Sequence, residues 1–140
     1  MASQAQPGTP PQCSYYDLMG SEVLAFDPAS ETITMRFVVP ACFITGRGGV
    51  QGGLVAGFLD EVMGRAHVEA TGGTEAPLNL EIAMTLLKLI PEGPILGKGR
   101  VIRRGKRAIF LEGELYDPEG KVLYARSTST AIPTPVPPQV

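Results

Sequence analysis

The sequence predicts one α+β domain, in which a curved antiparallel sheet of about six strands wraps a single long helix. One stretch, from Leu54 to Ala70, carries apolar residues at the three- and four-residue spacing typical of an amphipathic helix. Segments with strand character, separated by glycine- and proline-rich turns, stand on both sides of it. Six strands can bury one helix only if the sheet curls around it.

Length and composition limit the classes of protein that fit. The chain has 140 residues, of which 44% are hydrophobic and 19% charged, a balance typical of a single globular domain. The net charge of −2 gives no general case for nucleic-acid binding. No apolar run reaches the length of a membrane span, and the first residues lack the pattern of a signal peptide. With only Cys13, Cys42 and the single His67, we expect a reduced, cytoplasmic protein without a metal site.

The domain boundaries follow from shifts in composition. Residues 1–13 are rich in Pro, Gln, Ser and Gly without periodicity, which predicts a disordered tail. Residues 133–140 include four prolines, which predicts an extended C-terminal tail. Residues 14–132 between them form the single predicted domain.

The segments before the helix predict a short helical turn and a hairpin. Residues 14–19 form the predicted turn, and residues 22–26 and 32–39 form two strands. Between these strands, Asp27-Pro28-Ala29-Ser30 has the residues that favour a type I turn. Residues 40–53 are the loop that leads into the helix.

The segments after the helix predict four more strands. The helix should end near Ala70, before Gly72 and Gly73. Between Leu78 and Leu86 apolar residues alternate with polar ones, so Asn79, Glu81 and Thr85 are expected on one strand face. The other predicted strands are residues 95–103, 108–116 and 122–132, separated by turns at 104–106 and 117–120.

A glycine-rich loop, residues 46–53, runs directly into the helix. The N–H groups at a helix N-terminus are unpaired, and the helix dipole is positive there. Because Gly52 and Gly53 have no side chains, these donors can reach a developing oxyanion. Asp60, about two turns along the helix, lies roughly 12 Å away along the axis.

The helix face that carries Asp60 is made of small residues. Gly53, Ala56, Gly57 and Gly64 share it, although glycine inside a helix costs about 1 kcal/mol relative to alanine. We therefore expect a ligand or a second subunit to come close to the helix backbone there. The alternative is a tight turn followed by a packed helix with one exposed Asp60.

Gln51-Gly52-Gly53 followed by Asp60 resembles the His-Gly-Gly motif and spaced acid of the hotdog-fold acyl-CoA thioesterases of the phenylacetate-degradation type. The resemblance covers residues 18–132. It implies that the Gly52 N–H polarises the thioester carbonyl. It also implies that Asp60, from the other subunit of a dimer, is nucleophile or general base, and it favours a tetramer. Two positions depart from the family pattern: Gln51 replaces the histidine, and Thr45 replaces the usual asparagine. We count Gln51 with Gly52 and Asp60 as the predicted catalytic residues, because it can orient a carbonyl or a water, although it cannot act as a general base.

Five basic residues lie around one predicted hairpin turn: Arg100, Arg103, Arg104, Lys106 and Arg107. These residues either belong to a solvated, charged turn that hinders pairing of the sheet edge with other strands, or they bind the phosphates of coenzyme A as a clamp. The resemblance favours the clamp, because the family usually has basic residues at this turn. The substrate-binding residues that we predict are Thr45, Gly53, Glu81, Arg103, Arg104, Lys106 and Arg107.

Three other ionisable residues have a structural and a functional interpretation. Glu61 is a rival carboxylate to Asp60, but we expect it to pair with Arg65, four residues on. Glu81 falls near the place where the family often has a Ser or Thr that contacts the catalytic carboxylate or its water; the alternative is an exposed strand face. His67 is two turns from Asp60, so we expect a surface or interface histidine.

The predicted function is hydrolysis of an acyl-CoA thioester to a free acid and coenzyme A. The reaction needs no cofactor beyond the coenzyme A of the substrate, and the expected partners are acyl-CoA and further copies of the chain, not nucleic acid or membrane. A non-catalytic hotdog protein that binds acyl thioesters is the first alternative, because Thr45 and Gln51 depart from the family. A hotdog hydratase or dehydratase is a weaker one, since that chemistry favours a His–Asp pair.

Overall fold

The computed structural model describes residues 14–137. Residues 1–13, where we predict a disordered tail, lie outside the described residues, as do residues 138–140. In chain order the elements are α1 (Tyr15–Leu18), β1 (Glu22–Asp27), β2 (Thr32–Val39), a 3-10 turn (Ala41–Phe43), α2 (Gly52–Ala70), β3 (Glu75–Leu86), β4 (Gly93–Arg104), β5 (Ile109–Tyr116) and β6 (Leu123–Pro135). The last strand thus continues to Pro135, into the segment predicted as the C-terminal tail.

The six strands form one antiparallel sheet in the order β1-β2-β4-β5-β6-β3. The single long helix α2 packs against β2, β3, β4, β5 and β6. One helix meets five strands in this way because the sheet curls around it, so the predicted architecture is confirmed. Of the helices in the described part of the chain, none combines the length and apolar character needed to cross a membrane.

The buried face of α2 is the one that the helical spacing predicts. Phe58 is at its centre, with its ring centroid 5.1 Å from that of Phe37 and 5.8 Å from that of Phe43. Leu54, the first apolar residue of the predicted helical stretch, is only half-buried at the helix start. The buried residues of the helix are Val55, Phe58, Leu59, Val62, Met63, Ala66 and His67.

Glycines on the inner face of the sheet allow α2 to lie very close to it. An added Cβ at Gly99 in β4 would lie 2.1 Å from the carbonyl oxygen of Val62. One at Gly113, paired with Gly99 on β5, would lie 2.8 Å from Cγ of Met63. The contact between helix and sheet is therefore a backbone contact at Gly99, and only glycine fits there.

The small residues on the other face of α2 receive side chains of the same chain. A Cβ at Gly57 would lie 3.1 Å from Cε of Met19, and one at Gly64 would lie 3.6 Å from Cγ of Pro77. At these two glycines the close neighbour is therefore the chain itself, not the ligand or second subunit that we expected.

A β-bulge in β3 changes which side chains face inward. Asn79 pairs with Ala131 and Glu81 with Thr130, so Leu80 is an extra, unpaired residue. As a result Asn79 faces α2, whereas Glu81 is exposed on the outer face. The strict alternation predicted for this strand, with Asn79 and Glu81 on one face, is wrong for that reason.

Candidate active site

A side chain at the start of α2 caps the helix, and backbone N–H groups there remain available as hydrogen-bond donors. Gln51 is the N-cap residue, and its Oε1 accepts a hydrogen bond of 3.0 Å from the Leu54 N–H. A Cβ at Gly53 would lie 2.9 Å from this oxygen, so glycine leaves room for the cap. Neither the Gly52 nor the Gly53 N–H donates to another described residue. Two donors at the positive end of the helix dipole thus remain available.

The loop before the helix is held by internal hydrogen bonds. The hydroxyl of Thr45 donates to the Gly49 carbonyl at 3.0 Å, so this side chain closes the loop. The Val50 N–H donates to the Ile90 carbonyl at 3.0 Å, which ties the loop to the connection between β3 and β4. Gly49 lets the side chain of Leu89 lie close to the loop, since a Cβ there would lie 2.7 Å from its Cδ2.

An exposed leucine lies beside the free donors. Cδ1 of Leu86 lies 3.8 Å from the position of a Cβ at Gly52. Leu86, Leu87 and Leu89 are 46%, 52% and 65% exposed. The helix start is therefore bordered by apolar surface at the end of β3.

Asp60 is exposed and is held by a chain of two hydrogen bonds. Nδ2 of Asn79 donates to Oδ1 of Asp60, and the hydroxyl of Ser129 donates to Oδ1 of Asn79 at 2.7 Å. Sequence reasoning did not identify Asn79 or Ser129 as site residues. Asparagine is depleted in strands, and this was a signal for Asn79. Nothing in the sequence distinguishes Ser129 from the other Ser and Thr residues of β6.

An open groove of about 230 Å³ lies beside Asp60. Burial raises the pKa of the half-buried Glu61, and the charge of Asp60 adds to this effect. The charge of Glu61 in turn raises the pKa of the Tyr15 phenol. The predicted Glu61–Arg65 ion pair is wrong: Nε of Arg65 binds Glu69 at 3.0 Å. The groove is lined by Tyr15, Asp60, Glu61, Gly64, Arg65, Val68, Ala76 and Pro77.

Two other predicted residues lie away from Asp60. Glu81 is on the outer face of the sheet, opposite to the face on which its neighbour Ile82 packs against the core. His67 is fully buried, with Nε2 3.1 Å from Oε2 of Glu75, so the expected surface histidine is wrong. Burial is the main cause that lowers the pKa of His67, and the hydrogen bond to Glu75 opposes it.

The basic residues around the β4–β5 turn separate into two groups. Arg104 is half-buried and paired with Glu31, with Nη1 3.0 Å from the carboxylate. Arg103, Lys106 and Arg107 are exposed and have no ion-pair partner within residues 14–137. Three of the four predicted phosphate-binding residues are thus free to meet an anion.

Comparisons with known proteins show the fold. No protein-family model and no curated protein matches the sequence. A phenylacetic acid degradation-related protein of Ralstonia eutropha JMP134 superposes with a TM-score of 0.78 at 24% identity, over 89% of this chain and 93% of that one. A thioesterase of Haemophilus influenzae gives 0.76 at 17% identity, over 91% and 87%.

A third structure, from Streptococcus mutans, is bound to acetyl CoA and superposes with a TM-score of 0.70 at 16% identity, over 82% of this chain and 89% of that one. Identities this low, over nearly the full length of each chain, show a shared fold. They confirm the predicted resemblance at that level. The chain therefore has the hotdog fold of thioesterase-superfamily structures, including those of the phenylacetate-degradation type.

Proposed function

We propose that this protein is an acyl-CoA thioesterase that hydrolyses the thioester to a free acid and coenzyme A. One observation carries the proposal: two free backbone donors at Gly52 and Gly53 and the oriented carboxylate of Asp60 stand on the same helix. Donors at a helix N-terminus suit a developing oxyanion, and a carboxylate suits attack or activation of water. The named thioesterase and the acetyl CoA complex among the structures with this fold support the same chemistry.

The distance between these groups favours a dimer. Gly52 and Asp60 are eight residues apart on one helix, which is about 12 Å along the axis. A donor and an attacking group must both lie within about 3–3.5 Å of one thioester carbonyl. We therefore propose that Gly52 of one subunit acts with Asp60 of a second subunit.

The edge strand β3 offers a way to build this arrangement. Leu86 lies beside Gly52, and Asn79, seven residues earlier on the same strand, contacts Asp60. Antiparallel pairing of two β3 edges, centred on Ala83 and with Leu80 left unpaired, would set Leu86 opposite Asn79 of the partner subunit. The dimer would then contain two equivalent sites, each built from residues of both subunits. Pro77, which has no N–H, falls outside the paired segment, as an edge pairing requires.

In the proposed reaction the oxygen of the thioester carbonyl accepts a hydrogen bond from the Gly52 N–H. Oδ2 of Asp60 then attacks the carbonyl carbon, or takes a proton from the water that attacks it. The C–S bond breaks, and coenzyme A leaves as a thiolate that takes up a proton from Asp60 or from solvent. After direct attack, water then hydrolyses the mixed anhydride on Asp60, which releases the free acid and restores the carboxylate. Gln51 cannot titrate, but its Nε2 donors can orient a carbonyl or water. Because Gly53 has no side chain, the substrate can approach the helix backbone closely. The reaction needs no cofactor.

The nucleotide end of coenzyme A fits the free basic residues. It carries a pyrophosphate and a ribose phosphate, and Arg103, Lys106 and Arg107 supply exposed cations. In this proposal Arg104 acts indirectly, since its guanidinium is held by Glu31. The resemblance extends the dimer to a homotetramer.

A panel of acyl-CoA substrates with thiol detection tests the proposed function. The wild type should release thiol, and Asp60→Asn should lower kcat by about 10²–10⁴-fold while coenzyme A still binds. Glu61→Gln and Glu81→Gln are the control variants, and each should cost much less. Full turnover by Asp60→Asn together with loss of turnover in Glu81→Gln would place the acid on β3 and refute this mechanism.

A non-catalytic acyl thioester-binding protein is the second candidate. It is favoured by the two departures from the family, since Thr45 closes the loop and Oε1 of Gln51 caps the helix. Both side chains therefore have structural partners already. Binding of several acyl-CoAs by a wild type that hydrolyses none would select this function.

A further inference from the structure

We infer that Ser129 is a positioning residue for Asp60 and acts through the side chain of Asn79. The inference rests on the proposed function, in which Asp60 is the reacting group. It concerns the network that presents this carboxylate, which joins β6, β3 and α2.

The geometry assigns an orientation to each group in the network. An asparagine amide has donors on nitrogen and acceptors on oxygen, so turning it by half a revolution exchanges the two. The Ser129 hydroxyl donates to Oδ1 of Asn79 at 2.7 Å, and Ser129 is only 3% exposed. Nδ2 is thereby directed at Oδ1 of Asp60. The bulge at Leu80 is what turns Asn79 inward to make both contacts.

This arrangement makes the two oxygens of Asp60 unequal. Oδ1 accepts the hydrogen bond from the Asn79 amide, whereas Oδ2 has no hydrogen-bond partner within residues 14–137 and can react. Without the Ser129 hydroxyl, Oδ1 of Asn79 would lose its donor, and the amide would no longer be fixed against the carboxylate. The presentation of Asp60 would suffer, whereas coenzyme A contacts at the β4–β5 turn would remain. The expected loss is therefore in kcat and not in KM.

Ser127 provides a matched control on the same face of the same strand. It is 5% exposed, and its hydroxyl donates to Sδ of Met63 at 3.3 Å, away from Asp60. Ser127→Ala therefore removes an equally buried hydroxyl without touching the network. A purely structural effect of losing a buried hydroxyl should be the same in both variants.

The kinetic test compares Ser129→Ala with Ser127→Ala. Ser129→Ala should lower kcat by about three- to tenfold with KM within about twofold of wild type, the size expected for one hydrogen bond. Ser127→Ala should leave kcat unchanged, and Ser129→Thr, which keeps the hydroxyl, should restore it. Equal kcat values in the two alanine variants, or a change confined to KM, would overturn the inference.

A second measurement does not depend on catalysis. The Nδ2 protons of Asn79 give a side-chain ¹H–¹⁵N signal pair, assigned by its loss in Asn79→Ala. Ser129→Ala should shift this pair and speed its exchange with water, and Ser127→Ala should do neither. A wild type without turnover would refute the proposed function alone, and this experiment would still decide the role of Ser129. An Asn79 signal unchanged in Ser129→Ala would refute the inference.

Discussion

Gly99→Ala should be a severely destabilising substitution, although it adds one methyl group. The added Cβ would lie 2.1 Å from the carbonyl oxygen of Val62 and 2.6 Å from its carbonyl carbon. Both are backbone atoms in the middle of α2, so no side-chain rotation can relieve the contact. Either the helix or the strand must move.

The size of the effect follows from the distance. To restore an ordinary contact of 3.4 Å, α2 and β4 must move apart by about 1.3 Å. Overpacking of this kind costs typically about 1–3 kcal/mol, and a backbone clash belongs at the upper end. Of a total stability of about 5–15 kcal/mol, this is a large share. Gly113→Ala should cost less, because it meets the flexible Met63 side chain.

Urea denaturation followed by circular dichroism measures the free energy of unfolding of each variant. We expect Gly99→Ala to lose about 3 kcal/mol or more, or to fail to fold. Gly46→Ala is the matched control, since nothing lies within 4 Å of its Cβ position. A Gly99→Ala protein within about 0.5 kcal/mol of the wild type would refute the close approach of helix and sheet.

Three further predictions concern charge, assembly and pH. Changing Arg103 and Lys106 to glutamate should raise KM for acyl-CoA more than it lowers kcat. The rise in KM should be smaller for pantetheine thioesters, which lack the nucleotide, and an equal loss of activity on both substrates would argue against phosphate contacts. Light scattering at micromolar concentration should give at least twice the 14.8 kDa of one chain, and a monomer would exclude the shared site. Burial lowers the pKa of His67, so the unfolded state takes up the proton first, and stability should fall as the pH drops below about 6.5. The stability of His67→Gln should fall less than that of the wild type between pH 7.5 and pH 5.5 in urea denaturation, and equal losses would refute this effect.

The sequence was sufficient to identify the long helix and the six strands, because the signals for them are local. Apolar spacing marked the buried face of α2, and Asp27-Pro28 and Asp117-Pro118 marked two of the turns. The glycine loop and Asp60 were also identified as candidates from one stretch of sequence. Each of these predictions depends on residues that are near each other in the chain.

The errors came from contacts between distant segments. One extra residue at Leu80 moved Asn79 to the inner face of β3, and alternation alone cannot locate a bulge. His67 is buried because the start of β3 covers it with Glu75, which helical spacing does not show. Ser129 reaches Asp60 only through Asn79, across a sheet whose order the sequence does not specify.

The position of β3 has a consequence for the order in which the protein is made. β3 follows the helix in sequence, yet its neighbour in the sheet is β6, the last strand of the described fold. A ribosome therefore synthesises Asp60 and Asn79 well before Ser129, which comes fifty residues after Asn79. Pairing over such a separation is slow to form, because the intervening chain must first close a large loop. A nascent chain that carries the loop, the helix and β3 thus holds every group that we propose to react, but it still lacks the hydroxyl that positions Asn79.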